Sequence, residues 1–139
     1  MKQAMLVEKP KTRVLVVDNE RIIADTLALI LSQNGFSACA AYSGEEAVQR
    51  ALTLRPDIVL SDIIMGEMNG LEAAILISES LPHCKILLFS GQPATADLLL
   101  DARFRGYGFE VMAKPVHPTV ILDQIQSLVS GGLSSRNAR

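Results

Sequence analysis

Short apolar runs of β-type composition recur along this chain, separated by stretches of helical period, and this alternation constrains the fold more than any other feature. Val14-Leu15-Val16-Val17 runs into Asp18-Asn19-Glu20, and Ile58-Val59-Leu60-Ser61 runs into Asp62. Ile86-Leu87-Leu88-Phe89 runs into Ser90-Gly91, and Val111-Met112-Ala113 into Lys114-Pro115. Repeated βα units make a parallel sheet, and parallel strands bring their carboxyl ends to one edge. Ligands of open α/β sheets bind at that edge. A carboxylate nucleophile, a second acid for a cation, a hydroxyl and an ammonium converge there, a set suited to accepting a phosphoryl group. The irregularity is Asn19, which stands where a second acid is expected.

The segments between the runs fill in the units. Arg21 to Asn34 reads as a helix with Ile23, Leu27, Ile30 and Leu31 as its buried stripe, stopped by Gly35. A short strand is predicted at Ser37 to Ala41. Ser43-Gly44-Glu45-Glu46 reads as a capping box, opening a helix that buries Ala47, Val48, Ala51 and Leu52. A third helix begins near Asn69 or Gly70, carries Leu71, Ala74 and Ile75 inward and ends before Pro82. A fourth is predicted around Thr95 to Arg103, and Gly106 and Gly108 break the chain before the fifth strand. Pro118 opens the last helix, whose core face is Ile121, Leu122, Ile125, Leu128 and Val129. Residues 1–11 and 131–139 read as flexible ends around a single domain, 12–130.

Composition narrows the function classes. Nearly half of the 139 residues are apolar, yet no apolar run reaches the length of a membrane span. The piece Ala4-Met5-Leu6-Val7 is too short for a signal-peptide core, so a cytoplasmic location is expected. Thirteen basic against fifteen acidic residues, no tryptophan and no basic stripe argue against direct nucleic-acid binding. Cys39 and Cys84 lack a CxxC partner and read as small buried hydrophobes. His83 and His117 lie in loops beside prolines without metal-ligand spacing.

Val14 to Glu20, Pro56 to Gly70, Leu87 to Gly91 and Val111 to Pro115 together resemble the signature blocks of response-regulator receiver domains, the phosphoacceptor modules of two-component signalling. The blocks fall in that family's order, and the resemblance spans residue 13 to about residue 130. It implies a flavodoxin-like, doubly wound, five-stranded parallel sheet of order 2-1-3-4-5 with helices on both faces. It further implies Asp62 as phosphoacceptor, attacking a phosphohistidine on a sensor histidine kinase or phosphotransfer protein. An aspartate at a strand–loop junction, taken alone, is more simply an Asx cap. Ser90 and Lys114 at matching positions tip the balance to chemistry. Lys114 would pair with Asp62 at rest and with a phosphoryl oxygen afterwards, aimed by Pro115 through a cis peptide bond. Ser90 would donate its hydroxyl to the phosphoryl group, and Gly91 would allow close approach of the backbone.

By the same resemblance Asp18, Asn19, Asp62 and the backbone carbonyl of Ile64 form a Mg²⁺ corner. An amide oxygen at Asn19 can ligate Mg²⁺ but removes one negative charge, so weaker metal binding is expected, with Glu20 as a candidate to compensate. Two other departures stand out. Gly66 replaces the proline common four residues after the acceptor, and Val111 replaces the aromatic common three residues before the lysine. Output is expected through contacts with a downstream protein or tethered effector, and a homodimer surface is expected on the fourth helix, fifth strand and fifth helix. There, Leu98-Leu99-Leu100 cannot all face one core. The leading reading is a phosphorylatable switch and not a turnover enzyme. The alternative is a pseudo-receiver, an interaction module impaired in Mg²⁺ binding by Asn19. A haloacid-dehalogenase type phosphatase wants its nucleophile on the first strand, and a flavin site wants a small-residue loop where Asp18-Asn19-Glu20-Arg21 stands.

Overall fold

The computed structural model describes residues 10–65, 69–91, 100, 102–103 and 105–137, with the backbone alone for 131–137. Five parallel strands form one sheet in the order β2-β1-β3-β4-β5. The elements are β1 (Arg13–Val17), α1 (Arg21–Gln33), β2 (Ser37–Ala41), α2 (Gly44–Leu54), β3 (Ile58–Asp62), α3 (Gly70–Ser80), β4 (Lys85–Ser90), β5 (Glu110–Ala113) and α4 (Pro118–Asn137). The crossing order puts β1 and β3 in adjacent register, Val17 beside Ser61, and β3 beside β4, Asp62 opposite Phe89. Three chain segments that lead into polar residues therefore end side by side.

Period-two alternation along the strands divides the core into two layers. Leu15, Val17, Val59 and Leu88 face the layer closed by α2 and α3. Val14, Val16, Leu60 and Leu87 face the layer closed by α1 and α4. The central strands are buried on both faces, as a doubly wound parallel sheet requires. Each fully buried leucine here contributes about 1.5–3 kcal/mol relative to an exposed one.

Helix ends follow the local chemistry. Gly35, at φ +96°, takes the left-handed position after α1, and Phe36 N–H reaches back to Leu31 O at 3.1 Å. That is a Schellman closure, and only glycine adopts it without steric cost. Ser43 Oγ accepts from Glu46 N–H at 3.0 Å, and Asn69 Oδ1 accepts from Glu72 N–H at 2.7 Å. Glu46 reaches back one residue further than a capping box does, to Tyr42 N–H at 2.8 Å. His117, which sequence left without a role, caps α4: its Nδ1 accepts from Thr119 N–H.

Helix faces depart from the expected stripes. In α1 the buried residues are Ala24, Ala28 and Leu31, while Ile23 is exposed, Leu27 and Ile30 are half-buried, and Ile22 is 81 % exposed. Leu31 is buried as expected, but the inward face turns from Ile23 toward Ala24 and Ala28. Alanines let the helix lie close to the sheet, and a helix apolar on most sides carries no pattern that picks one stripe over its neighbour. Leu52 in α2 and Val129 in α4 are likewise exposed, beside the buried Ala51 and Ile125. The last helix runs on through 131–137, past the boundary expected at 130, since propagating a formed helix adds one hydrogen bond per residue. Of the predicted fourth helix, Leu100, Ala102 and Arg103 are helical. Leu98 and Leu99 lie outside the described residues, as does Gly66, while Leu100 is exposed. Among the described residues no helix is long and apolar enough to cross a membrane.

Glu46 ties α2 to the end of β2 and has a pH signature. The Tyr42 N–H bond, helped by Arg50, holds its carboxyl below the usual 4.5. A depressed folded-state pKa stabilises fully above the unfolded value, and the contribution is lost as pH falls through the folded one. Glu46→Gln should therefore lower the urea midpoint at pH 7, by less than about 1 kcal/mol for so solvent-screened a group. The gap should close as pH drops below 4.5. A gap constant between neutral and strongly acidic pH would rule this out.

Candidate functional site

Asp18 follows β1, Asp62 ends β3, Ser90 ends β4 and Lys114 follows β5, so the parallel ladder delivers all four to one edge of the sheet. Lys114 Nζ donates to Asp62 Oδ2 at 2.9 Å and lies 3.8 Å from Asp18 Oδ2. One ammonium thus serves two carboxylates. Asp18 is 6 % exposed and its other oxygen accepts from Glu20 N–H at 2.9 Å. Its main-chain N–H donates to Ala41 O, fastening this turn to β2.

Lys114 is placed by its main chain as much as by its charge. Its N–H donates to Ser90 O at 2.9 Å, extending the β4–β5 ladder by one bond, and the Lys114–Pro115 peptide is cis. A side chain on Gly91 would begin 3.3 Å from Lys114 Cβ and 3.5 Å from its Cδ. The missing side chain at Gly91 thus leaves room for the lysine stem. Ser90 joins the site through this carbonyl.

The two charge types respond differently to the partial burial. Burial pushes the Asp18 carboxyl up, against the Glu20 N–H bond and the Lys114 charge, which pull it down. Burial also opposes the Lys114 charge, but the Asp62 hydrogen bond and the charges of Asp62, Asp18 and Glu20 outweigh it and hold the lysine above its usual value. Lys114 is therefore an ammonium throughout the neutral range. Asn19 and Glu20 are exposed beside Asp18. Ile64 N–H makes a long contact, 3.4 Å, with Asp62 Oδ1.

The backbone of Asp62 and Ile63 lies against Gly70. The Gly70 N–H donates to Ile63 O at 2.6 Å, and a Cβ there would lie 1.8 Å from Asp62 O. Gly70, which sequence placed at the start of the third helix, allows close approach of the α3 terminus to the backbone carrying Asp62. The signal available in sequence was its place directly after the cap residue Asn69.

A family profile described as the response regulator receiver domain matches residues 14–126. This chain belongs to that family. The receiver domain is 32 % identical to the chemotaxis protein CheY of Thermotoga maritima over 117 residues, 84 % of this chain and 96 % of that one. It is 42 % identical over 119 residues to a protein-glutamate methylesterase/protein-glutamine glutaminase of Archaeoglobus fulgidus, covering 84 % of this chain but 34 % of that protein. Similarity to the transcriptional regulatory protein LnrK of Bacillus subtilis is 31 % over 123 residues, 87 % of this chain and 55 % of that one. The receiver domain thus spans nearly all of one relative and a third to about half of the other two. Among solved structures, the response regulator TrrA of Thermotoga maritima in complex with Mg(2+)-BeF superposes with a TM-score of 0.72 at 27 % identity, covering 84 % of this chain and 98 % of that one. A CheY-like receiver from Methanospirillum hungatei gives 0.78 at 22 % identity, covering 91 % and 99 %, and supports the fold. The flavodoxin-like, doubly wound architecture is as expected, and receiver domains are signalling modules of two-component systems.

The steric role of Gly70 gives a test within this receiver domain. Gly70→Ala should destabilise by at least about 1–3 kcal/mol, because backbone and not a flexible side chain blocks the new methyl group. Gly108→Ala, where no atom lies within 4 Å of the new carbon, should stay within about 0.5 kcal/mol of the parent. Equal urea midpoints for the two variants would remove Gly70 from this role.

Proposed function

We propose that Asp62 is the phosphoacceptor of this receiver domain and that the phosphoryl group comes from a phosphohistidine on a sensor kinase or phosphotransfer protein. The observation that carries this reading is the Lys114 ammonium 2.9 Å from Asp62 Oδ2 at the carboxyl edge of the sheet. In the transfer, an Asp62 oxygen attacks phosphorus, the P–N bond to the donor imidazole breaks, and an acyl phosphate forms. The donor ring, protonated on its other nitrogen, takes the bonding electron pair and leaves as neutral imidazole. Lys114 holds the Asp62 carboxylate in place beforehand. As negative charge moves onto the aspartyl phosphate, Lys114 exchanges its carboxylate partner for a phosphoryl oxygen. Ser90, at the adjoining strand end, donates its hydroxyl to another phosphoryl oxygen. Its carbonyl bond to Lys114 N–H would carry that movement into β5.

Asp18, Asn19, Asp62 and the Ile64 carbonyl are the residues that would hold Mg²⁺. The donors are all oxygens, and Mg²⁺ is commonly held by one or two carboxylates plus waters and phosphate oxygens. When bound, Mg²⁺ neutralises charge on the transferring phosphoryl oxygens. Asn19 supplies an amide where another acid would add charge, so affinity is reduced and not abolished. The output is a change in contacts with a downstream protein or attached effector. The exposed Leu100 and Val111 belong to the surface proposed for that partner or for a second copy. A cytoplasmic setting suits a phosphohistidine donor.

Intact-protein mass after incubation with acetyl phosphate tests the reading. With Mg²⁺ the parent should gain one phosphoryl group, and Asp62→Ala should gain none. Asn19→Asp should reach the same extent at roughly tenfold lower Mg²⁺, the order expected for one added charge at an effective dielectric of about 20, partly screened by solvent. A folded parent that gains no mass at saturating Mg²⁺ would mark a pseudo-receiver.

A further inference from the structure

Tyr42 lies just past the end of β2, outside the site itself. Its O–H donates to Asp25 Oδ1 at 2.5 Å, and the Arg21 guanidinium sits over its ring, 4.0 Å from the centroid. Arg21 opens α1 and Asp25 lies one turn further on, so a single ring grips the first turn at both ends. The ring packs against the core layer closed by α1 and α4. Its own backbone is fixed by the bond from Tyr42 N–H to Glu46, which Arg50 holds at 2.9 Å. The residue before it, Ala41, accepts the Asp18 N–H at 3.1 Å.

The start of α1 needs such a fastening. Its N-cap residue is Glu20, whose side chain makes no capping bond, and no acidic residue follows in the first turn. The usual local restraints on a helix start are thus missing. Yet this helix start presents the Glu20 N–H that accepts no slack: it donates to Asp18 Oδ1 at 2.9 Å while Oδ2 faces Lys114. If the first turn shifts, the carboxylate turns with it.

We infer that Tyr42 is a positioning residue for the cation corner, holding the first turn of α1 so that Glu20 N–H keeps the Asp18 carboxylate aimed into the site. The inference rests on the proposed role of Asp18 and Asn19 toward Mg²⁺. Groups that orient metal ligands from behind commonly change metal affinity by about 10–100-fold when removed. Tyr42 is one step further back, so the lower end applies.

The test compares four full-length proteins: the parent, Tyr42→Leu, Tyr42→Phe and Tyr107→Phe. The last removes the Tyr107–Glu79 hydrogen bond, a matched tyrosine–carboxylate pair away from the site, and controls for a general loss of stability. Two quantities are read: exchange of the Glu20 amide by NMR in metal-free protein, and the Mg²⁺ dissociation constant by titration. Tyr42→Leu should speed Glu20 exchange and weaken Mg²⁺ binding about tenfold. Tyr42→Phe, which keeps the ring over which Arg21 lies, should fall between it and the parent, and Tyr107→Phe should match the parent in both. Unchanged Glu20 exchange in Tyr42→Leu would overturn the inference, as would faster exchange with unchanged Mg²⁺ affinity. Equal weakening by Tyr107→Phe would overturn it too, by showing a general effect. A parent with protected Glu20 but no Mg²⁺ binding would instead sink the cation reading and the inference together, whereas a metal-binding parent unaffected by Tyr42→Leu would sink the inference alone.

Discussion

Two carboxylates delivered to one sheet edge repel each other, and the Lys114 ammonium between them makes the arrangement stable. Unit charges about 4 Å apart interact by roughly 4 kcal/mol at the effective dielectric of a protein surface, enough to distort loops as short as these. Lys114 meets Asp62 at 2.9 Å and Asp18 at 3.8 Å, so the attraction to each offsets their mutual repulsion. This requires the lysine stem to arrive from β5 at the right height. The parallel register of β4 and β5, Ser90 opposite Ala113, and the Lys114 N–H to Ser90 O bond set that height. The sheet is thus a positioning device, and the ion pair reads out whether its register is correct.

Small residues do the complementary work. Gly91 leaves space for the lysine stem, and Gly70 allows the α3 terminus to come against the Asp62 carbonyl. Alanines at 24 and 28 bring α1 close to the sheet and push its larger aliphatic residues toward the rim. Each close approach occurs where a backbone segment carrying a polar side chain must be held without a long loop.

The strands were legible almost to the residue, because short apolar runs bounded by polar and glycine residues and alternating with helix-period segments have few alternative uses. Convergence of Asp18, Asp62, Ser90 and Lys114 then followed from parallel topology alone. The helix faces were less legible. In α1 the expected stripe of Ile23, Leu27, Ile30 and Leu31 holds at the buried Leu31 and in part at Leu27 and Ile30. Periodicity weighted by size passed over the buried Ala24 and Ala28 in favour of the exposed Ile23. Tyr42 was also invisible, since its partners Arg21, Asp25 and Glu46 come from two helices and meet only in the folded chain. His117 was discounted for want of a metal-ligand spacing, although a ring nitrogen two residues before Thr119 is well placed to cap a helix. Sequence identified the residues that carry charge to the site and missed those that hold its walls.

Asn19 places a neutral amide beside Asp18, and on the proposed function that bears on both the resting and the phosphorylated site. At rest, one ammonium against two carboxylates leaves a single negative charge, and Asp18 already has its carboxyl pushed up by burial. A third acid beside it would raise that self-repulsion in the empty site and would favour a divalent cation more strongly. The amide therefore makes the resting site easier to hold together without metal. If this corner holds Mg²⁺ as proposed, the amide weakens the pull on it in the same measure, since both effects come from one missing charge. Phosphorylation of Asp62 would add negative charge and restore that pull. On that proposed reading, metal binding and phosphorylation would be more tightly coupled than where acids alone hold the cation, because the phosphoryl oxygens would supply the charge that Asn19 does not.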